Sequence, residues 1–362
     1  MNINIVDLDN VLHIGTKAGR MGKFNTSSFP TGGLYRLFGL MKTLGVLSSP
    51  EQNKMIVVYD KGVGARRSIY PQYKASRKEY KNNVDITKDK AVQLQKQVAI
   101  DMLEKAGFLV LGSDILEADD LMFNIVLHFA YHQEQPLTKG TRITLHSSDA
   151  DWLGVLGITP NIFFNCTNNN VEKLCAVNSY GDYMRVYGTP IEYHYAWKAV
   201  YGDTSDGYTG HRDPRSLNEA SKTVTNMNFW NYAYWEDLVR KLHTQDGEEV
   251  LNHILLHYRL AMPIYEQNTF NFDYMSKLRG NVLDMDVIRN QLNIYRIKIL
   301  EGTLGKLNPY TAVEREALDN VKRYFMGEYQ DVFDYYSQMV YEPKISTEAV
   351  ERAFAKTNIV SV

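Results

Sequence analysis

The sequence of 362 residues is poor in cysteine and has no long apolar run. Cys166 and Cys175 could form at most one bridge, which excludes a disulfide-stapled secreted fold, and we expect both to be free thiols. The N-terminus carries neither a basic segment nor an extended apolar one, and no apolar stretch reaches the roughly 18 residues of a membrane helix. We therefore expect a cytoplasmic protein without a membrane partner.

The chain also lacks an excess of charge of either sign, with 40 Lys and Arg against 42 Asp and Glu. A protein held on nucleic acid by bulk positive charge is thereby excluded. The balance is uneven along the chain, because the segment from Lys61 to Lys90 holds nine basic and three acidic residues. Such a segment on an otherwise acidic protein fits a polyanion site beside carboxylates, and a solvated lysine-rich loop is the alternative.

Short apolar runs that end near an acid alternate with helical patterns in the first 150 residues. The runs are Ile3 to Val6, Met55 to Tyr59, Phe108 to Leu111 and Ile143 to Leu145. A helix capped by Thr87 and stopped by Gly107 and a second helix over residues 118–129 lie between them. This alternation predicts an α/β fold with a mostly parallel central sheet and helices on both faces.

The later chain has a different pattern. Residues 162–186 are Asn-rich and predict edge strands or a hairpin, and Thr189 opens a helix that runs to about Tyr201. Beyond residue 215 only helical spacing remains, for example over residues 248–262, 287–300 and 313–326. We therefore divide the chain into a catalytic part, 1–210, and a helical C-terminal region, 211–362.

Acidic residues follow the predicted strands and open the next helices. In a parallel sheet these positions meet at one edge, where uncompensated carboxylates would repel one another. Divalent cations remove that conflict, and oxygen ligands favour Mg²⁺ or Mn²⁺, of which two could together hydrolyse a phosphodiester. Ordinary helix-dipole and turn roles are the alternative. The acids are Asp7, Asp60, Glu117, Asp119, Asp120, Asp149, Asp151, Asp203 and Asp206.

Six sequence blocks carry a more specific signal. In order they are Ile5-Val6-Asp7, Val57-Val58-Tyr59-Asp60, Tyr73-Lys74-Ala75-Ser76-Arg77, Glu117-Ala118-Asp119-Asp120, Ser148-Asp149-Ala150-Asp151 and Gly202-Asp203-Thr204-Ser205-Asp206. Their order and spacing resemble the bacterial and bacteriophage 5′-nuclease family of flap endonucleases, 5′-3′ exonucleases and phage ribonuclease H. The resemblance covers residues 1–210 and implies a PIN-like nuclease domain, a helical arch over about residues 78–106, and two-metal hydrolysis of nucleic acid.

The resemblance also implies roles for individual residues. The nine acids match the family's metal-site acids, and Lys74 and Arg77 match its basic pair at the scissile phosphate. Tyr73 matches a position for an aromatic ring that stacks on a base, with simple packing as the alternative. The nucleic-acid-binding residues expected in this way are Arg66, Arg67, Tyr73, Lys78 and Lys81.

The family's duplex-binding Gly-x-Gly hairpin is missing after Asp206, where the chain reads Gly207-Tyr208-Thr209-Gly210. The sequence therefore does not identify the part of the chain that binds duplex DNA. A divergent helix-hairpin-helix in the C-terminal region is one interpretation. The resemblance implies a monomer acting on DNA with 5′ ends, flaps or nicks, or on RNA/DNA hybrids. It also implies a role in replication or repair, with replication proteins as candidate partners and a bacteriophage as a candidate source.

Two rival interpretations remain open. Asp7-Leu8-Asp9 and the block at Gly202 also resemble the first and last motifs of haloacid dehalogenase-type phosphatases, which use one Mg²⁺ and a phospho-aspartate. A predicted helix precedes Gly202, however, where that family has a strand. The second rival is a nonhydrolytic nucleic-acid-binding protein, although concentrated negative charge without metals does not favour a polyanion.

Overall fold

The computed structural model describes residues 1–17, 29–62, 64–75, 82–132, 141–203, 206–209, 248–280, 282–297 and 311–341. Its centre is a sheet of five parallel strands: β1 (Asn2–Asp7), β2 (Asn53–Asp60), β3 (Leu109–Ser113), β4 (Arg142–Ser147) and β5 (Ile162–Cys166). The strands lie in the order β3-β2-β1-β4-β5. The α/β fold predicted from the sequence is thereby confirmed.

Helices connect these strands along the chain. The helices up to residue 201 are α1 (Leu8–Lys17), α2 (Gly32–Thr43), α3 (Gly64–Ile69), α4 (Asn83–Lys105), α5 (Ala118–Tyr131), α6 (Glu172–Cys175), α7 (Tyr180–Tyr187) and α8 (His194–Tyr201). Short 3₁₀ turns cover Ala150–Gly157 and Ile191–Tyr193. The two-residue strands β6 (Gly202–Asp203) and β7 (Tyr208–Thr209) then pair antiparallel.

The sheet separates two apolar cores because neighbouring residues of each strand point to opposite faces. On one face Val6 and Val57 pack with α1, α2 and α4. On the other face Ile5, Ile56 and Leu145 pack with α5. The strands are thus buried on both faces, which is why they appear in the sequence as continuous apolar runs.

Helix α4 begins earlier than predicted. The Asn82 side chain caps it by accepting a hydrogen bond from the Asp85 N–H, and Thr87 lies inside the helix instead of capping it. From Ala91 onward the helix packs into the apolar core beside β2. Residues 78–81 of the expected arch lie outside the described residues.

The Asn-rich segment contains a single edge strand. Residue Ile143 of β4 pairs with Ile162 of β5 in parallel register, so the edge-strand prediction is confirmed and the hairpin alternative is wrong. The two helices α6 and α7 follow where further strand was expected, and Gly188 in the left-handed conformation (φ 73°) ends α7.

The described C-terminal residues are helical, as predicted. These helices are α9 (Glu248–Ala261), α10 (Gln267–Phe270), α11 (Tyr274–Gly280), α12 (Met285–Ile294) and α13 (Ala312–Tyr341). Residues Ile288 and Leu292 of α12 join the core of α4, and Tyr274 and Leu278 of α11 join the core of α5. Among the helices described, none has the length and apolar character needed to span a bilayer.

Candidate metal centre

The carboxyl ends of β1 and β2 bring two of the predicted acids to the sheet edge. Asp7 accepts hydrogen bonds from the Asn10 N–H at 3.0 Å and from the Ser147 hydroxyl at 2.8 Å. Asp60 accepts one from the Ala118 N–H at 2.7 Å. Burial is the main reason that the pKa of each carboxyl is raised. Both side chains therefore need positive charge nearby in order to stay ionised.

A third acid, Asp9, lies beside this pair and was not among the predicted ligands. Both of its carboxylate oxygens accept hydrogen bonds from the Lys96 ammonium of α4, at 2.7 and 2.8 Å. Asp9 also accepts a hydrogen bond from the Asp60 N–H at 2.9 Å, and Lys96 donates to the Asp60 carbonyl. The ion pair thus ties α4 to the end of β2, and after burial the charge of Asp9 is the next cause of the raised pKa of Asp60.

Five other predicted acids form two overlapping groups. Asp119, Asp149 and Asp151 offer oxygens that lie within 4.8 Å of one another, and so do Asp151, Asp203 and Asp206. Asp151 belongs to both groups. The donor set is made only of carboxylate oxygens, which fits hard divalent cations such as Mg²⁺ or Mn²⁺.

The electrostatics of these groups agree with a cation site. Burial, followed by the charge of Asp149, raises the pKa of Asp119 well above its ordinary value. Loss of solvation, followed by the charge of Asp151, raises the pKa of Asp149 to about 6, although the residue as a whole keeps exposed surface. Burial also raises the pKa of Asp206. Because these carboxylates lack sufficient neutralising charge, a divalent cation would bind them with a gain in electrostatic energy.

One basic residue that sequence reasoning missed lies within the second group. The Lys198 ammonium of α8 contacts Asp151 and lies 2.6 Å from the Asp203 carboxylate. Burial alone would lower the pKa of Lys198, but the charges of Asp151 and Asp203 outweigh it and raise that pKa well above its ordinary value. Helical spacing does not predict this contact, because α8 ends at Tyr201 and Asp203 lies five positions after Lys198.

The predicted basic residue Lys74 lies at the border of the acids. Its ammonium lies 2.8 Å from Glu117 and 3.9 Å from Asp206, and its N–H donates to the Asp206 carbonyl at 2.9 Å. Lys74 has a φ of 56°, in the left-handed region that non-glycine residues rarely adopt. The fold therefore holds a strained backbone here to bring this cation beside two carboxylates.

Tyr73 takes the packing role and not the stacking role. Only 2% of the residue is exposed, and its hydroxyl lies 3.1 Å from both Glu117 and Asp206. Burial, followed by the charge of Glu117, raises the pKa of the Tyr73 hydroxyl. A phenol that stays protonated can donate to either carboxylate and so links the ends of two distant segments.

Arg66 and Asp120 form a buried ion pair that corrects two expectations. Arg66, expected to contact phosphate, is 3% exposed and donates to both oxygens of Asp120 and to Glu117. Asp120, expected to bind metal, also accepts hydrogen bonds from the Glu117 and Ile264 N–H groups. Each oxygen of Asp120 thus has two donors, and this residue supports Glu117 instead of lining the acid groups.

The remaining nucleic-acid-binding predictions fall on two kinds of position. Arg67 is exposed, and its Nε donates to the Tyr73 carbonyl at 3.4 Å. Arg77, Lys78 and Lys81 lie outside the described residues. Their roles stay predictions.

Replacing Arg66 with Met should destabilise the fold by about 3–5 kcal/mol, because two buried carboxylates would lose their counter-charge. Chemical unfolding in urea at pH 7 measures the change. The matched control is Arg67→Met, which removes the neighbouring exposed guanidinium and should change stability by no more than about 0.5 kcal/mol. Equal losses for the two variants would mean that the Arg66 ion pairs contribute nothing beyond a surface contact.

Replacing Asp149 with Asn should stabilise the metal-free protein. A carboxyl whose folded pKa is raised stabilises the fold below its unfolded pKa, and that stability is lost as the pH rises through the folded pKa. For Asp149 this window extends from 3.8 to about 6. We expect a gain of about 1 kcal/mol at pH 7.5, discounted for solvent screening, that shrinks towards pH 4.

Unfolding of both proteins in EDTA at several pH values measures this difference. Buried histidines such as His146, whose pKa burial lowers to about 3, make both proteins less stable as the pH falls. The difference in stability between variant and wild type does not contain this shared effect. Asp101→Asn, on the exposed surface of α4, is the control and should show no such pH dependence. A gain that grows as the pH falls would contradict the raised pKa.

Comparisons with known proteins bear on this site. Residues 13–177 match the family described as the 5′-3′ exonuclease N-terminal resolvase-like domain. DNA polymerase I of Caldicellulosiruptor bescii is 25% identical over 188 residues, which cover 51% of this chain and 20% of that protein. The chain thus spans about a fifth of the length of this curated relative.

Solved structures give a similar result. The T5 5′-exonuclease, solved with divalent zinc ions bound, has a TM-score of 0.50 at 18% identity and covers 94% of this chain and 99% of its own. The bacteriophage T5 D15 flap endonuclease, solved with DNA and metal ions, has a TM-score of 0.45 at 17% identity, over 92% and 100% of the two chains. The first of these likenesses shows a shared fold.

Proposed function

We propose that this chain, whose residues 13–177 match the family described as the 5′-3′ exonuclease N-terminal resolvase-like domain, hydrolyses phosphodiester bonds of DNA near 5′ ends or at flaps and other branched junctions. The observation that carries the proposal is the pair of acid groups that share Asp151, with the Lys74 ammonium beside them. That combination is suited to binding cations and a phosphate at one place.

The proposed cofactors are two or more Mg²⁺ or Mn²⁺ ions. Divalent ions bound at these acids would lower the pKa of a coordinated water and neutralise charge on the scissile phosphate. The residues proposed to hold them are Asp7, Asp60, Glu117, Asp119, Asp149, Asp151, Asp203 and Asp206. Support comes from the all-oxygen donor set and from the raised pKa values of five of these acids.

Lys74 is proposed as the residue that contacts the scissile phosphate. Its ammonium reaches between Glu117 and Asp206, so that it can donate a hydrogen bond to a phosphoryl oxygen at the border of the acids. Tyr73 and Arg66 hold Glu117 from the buried side, which fixes the carboxylate that Lys74 faces. Arg77 is proposed as the second phosphate contact.

Lys198 is proposed to balance charge within the second acid group. Its ammonium contacts both Asp151 and Asp203, which would otherwise repel each other. The side chain therefore keeps these two carboxylates together in the protein before any substrate arrives.

The finer points of substrate and organisation are also proposals. We assign catalysis to residues 1–210 and duplex binding to the helical region 211–362, with Arg67, Lys78 and Lys81 as further phosphate contacts. RNA primers in RNA/DNA hybrids are candidate substrates, and replication or repair in a bacteriophage-infected cell is the proposed setting. The protein is proposed to act as a monomer. No observation favours the phosphatase alternative, because both oxygens of its second acid, Asp9, accept hydrogen bonds from Lys96.

The test is a panel of 5′-labelled flap, nicked, blunt and RNA/DNA hybrid substrates, each incubated with Mg²⁺, with Mn²⁺ and with EDTA. We expect cleavage near the 5′ end of at least one substrate in the presence of either metal and none in EDTA. A small phosphate ester is assayed in parallel. If that ester loses its phosphate while every nucleic acid stays intact, the proposed function is wrong.

A further inference from the structure

The loop that follows β5 brings the two cysteines of the sequence together. Cys166 ends β5 and Cys175 ends α6. Both thiols donate hydrogen bonds to the carbonyl oxygen of Asn168, at 3.3 and 3.2 Å. Both are free thiols, as predicted. Two side chains nine positions apart therefore meet at a single oxygen.

The backbone of this loop is already closed around the thiols. The Phe164 N–H donates to the Asn178 carbonyl at 2.8 Å, and the Asn178 side chain donates to the Phe164 carbonyl at 2.9 Å. Inside this base, the Val171 N–H donates to the same Asn168 carbonyl at 3.1 Å. Because the loop is held at its base, a bond between the sulfurs would cost little further chain entropy.

The two thiols differ in their access to solvent. Cys175 is exposed and Cys166 is partly buried. Burial, followed by the hydrogen bond to Cys175, raises the pKa of the Cys166 thiol to about 11. A dissolved oxidant therefore reaches Cys175 first, and Cys166 lies behind it within bonding reach.

We propose that Cys166 and Cys175 form a redox-active dithiol that closes to an intramolecular disulfide by exchange with a small disulfide such as glutathione disulfide. The Cys175 thiolate attacks one sulfur of glutathione disulfide, and the other half leaves as a thiolate that takes up a proton. Cys166 then gives its proton to water and attacks the Cys175 sulfur, and the second glutathione leaves as a thiolate that takes up a proton. The cysteines lose two electrons and two protons, and glutathione disulfide becomes two glutathione thiols.

The closed form is compatible with an intact sheet edge. Thr167, next to Cys166, donates its hydroxyl to the Asn10 side chain at 2.6 Å and its N–H to the Ser147 carbonyl at 3.0 Å. Because both thiols already meet at the Asn168 carbonyl, we expect closure to leave these bonds in place. The dithiol would protect the exposed Cys175 from stable glutathione adducts and from further oxidation, since Cys166 can displace a disulfide-linked group or a sulfenic hydroxyl from its sulfur.

In the test, reduced full-length protein is incubated in buffers with known ratios of glutathione to glutathione disulfide. The remaining thiols are then blocked with an alkylating reagent, and the mass of the intact protein is measured by mass spectrometry. We expect wild type to lose two hydrogens and to take up neither glutathione nor alkylating reagent as the buffer becomes oxidising. In urea at the same ratio, the yield of this disulfide should fall by about tenfold, because the loop no longer holds the thiols together.

Cys166→Ser is the matched control, because it keeps the exposed thiol and removes the one behind it. This variant should accumulate one glutathione on Cys175 under the conditions in which wild type accumulates none. The proposal is overturned if wild type also keeps glutathione, if it joins into covalent dimers, or if the disulfide yield is the same with and without urea.

Discussion

Replacing Asp151 with Asn should lower the rate of DNA cleavage by about 10³-fold or more while the fold remains intact, because one substitution removes a ligand from both acid groups. Single-turnover cleavage of the best substrate of the panel, at saturating Mg²⁺, measures the loss. Isothermal titration of the substrate-free protein with Mn²⁺ should show weaker binding or fewer sites. Circular dichroism checks that the variant is folded.

The control for this prediction is Asp101→Asn. Asp101 is an exposed aspartate of α4 that pairs with Lys105, so that its loss removes the same charge far from the acid groups. Its cleavage rate should stay within about twofold of wild type, as for an ordinary surface substitution. A folded Asp151→Asn protein that cuts at the wild-type rate would contradict the assignment of both acid groups.

Replacing Lys74 with Met should slow the chemical step by about 10²–10³-fold and weaken substrate binding by no more than about threefold. We propose that the ammonium is a single contact among many to the phosphate backbone. It lies beside Glu117 and Asp206, where we propose that the scissile phosphate binds. Single-turnover rates and binding measured in Ca²⁺ separate the two effects.

Lys105→Met provides the comparison, because Lys105 is an exposed lysine on the far part of α4. It should change neither rate nor affinity by more than about twofold. If Lys74→Met lowers rate and affinity equally, the residue only docks phosphate, and the role beside the scissile bond is assigned to the wrong side chain.

The sheet and the convergence of the acids could be predicted from the sequence. Apolar runs that end near an acid identify parallel strands, and the geometry of a parallel sheet then brings Asp7, Asp60 and Asp149 to one edge. Local spacing was sufficient for this step because each strand is continuous in sequence. It was less accurate at helix ends, where Asn82 and not Thr87 supplies the cap.

The partners of the acids could not be predicted, because they depend on contacts between distant segments. Nothing near Arg66 in sequence indicates that it turns inward to Asp120, and the same residue type at position 67 stays outside. Lys198 reaches Asp151 only because α8 packs beside the 3₁₀ turn that carries it. The pattern of charges in the sequence therefore predicted where the acidic side chains cluster. It did not predict which lysine and arginine side chains pair with them.

The buried Arg66 side chain also bears on the order in which the protein is assembled. Its Nε donates to the Leu260 carbonyl, 194 positions away, and Nη2 donates to the Met262 carbonyl. Contacts of such sequence separation are slow to form, because closing the long loop between the two segments costs conformational entropy. A ribosome-bound chain that stops before residue 248 thus contains every strand-end acid but lacks the carbonyls that orient Arg66. Arg66 can therefore complete its hydrogen bonds only after residue 262, just beyond α9, has been synthesised.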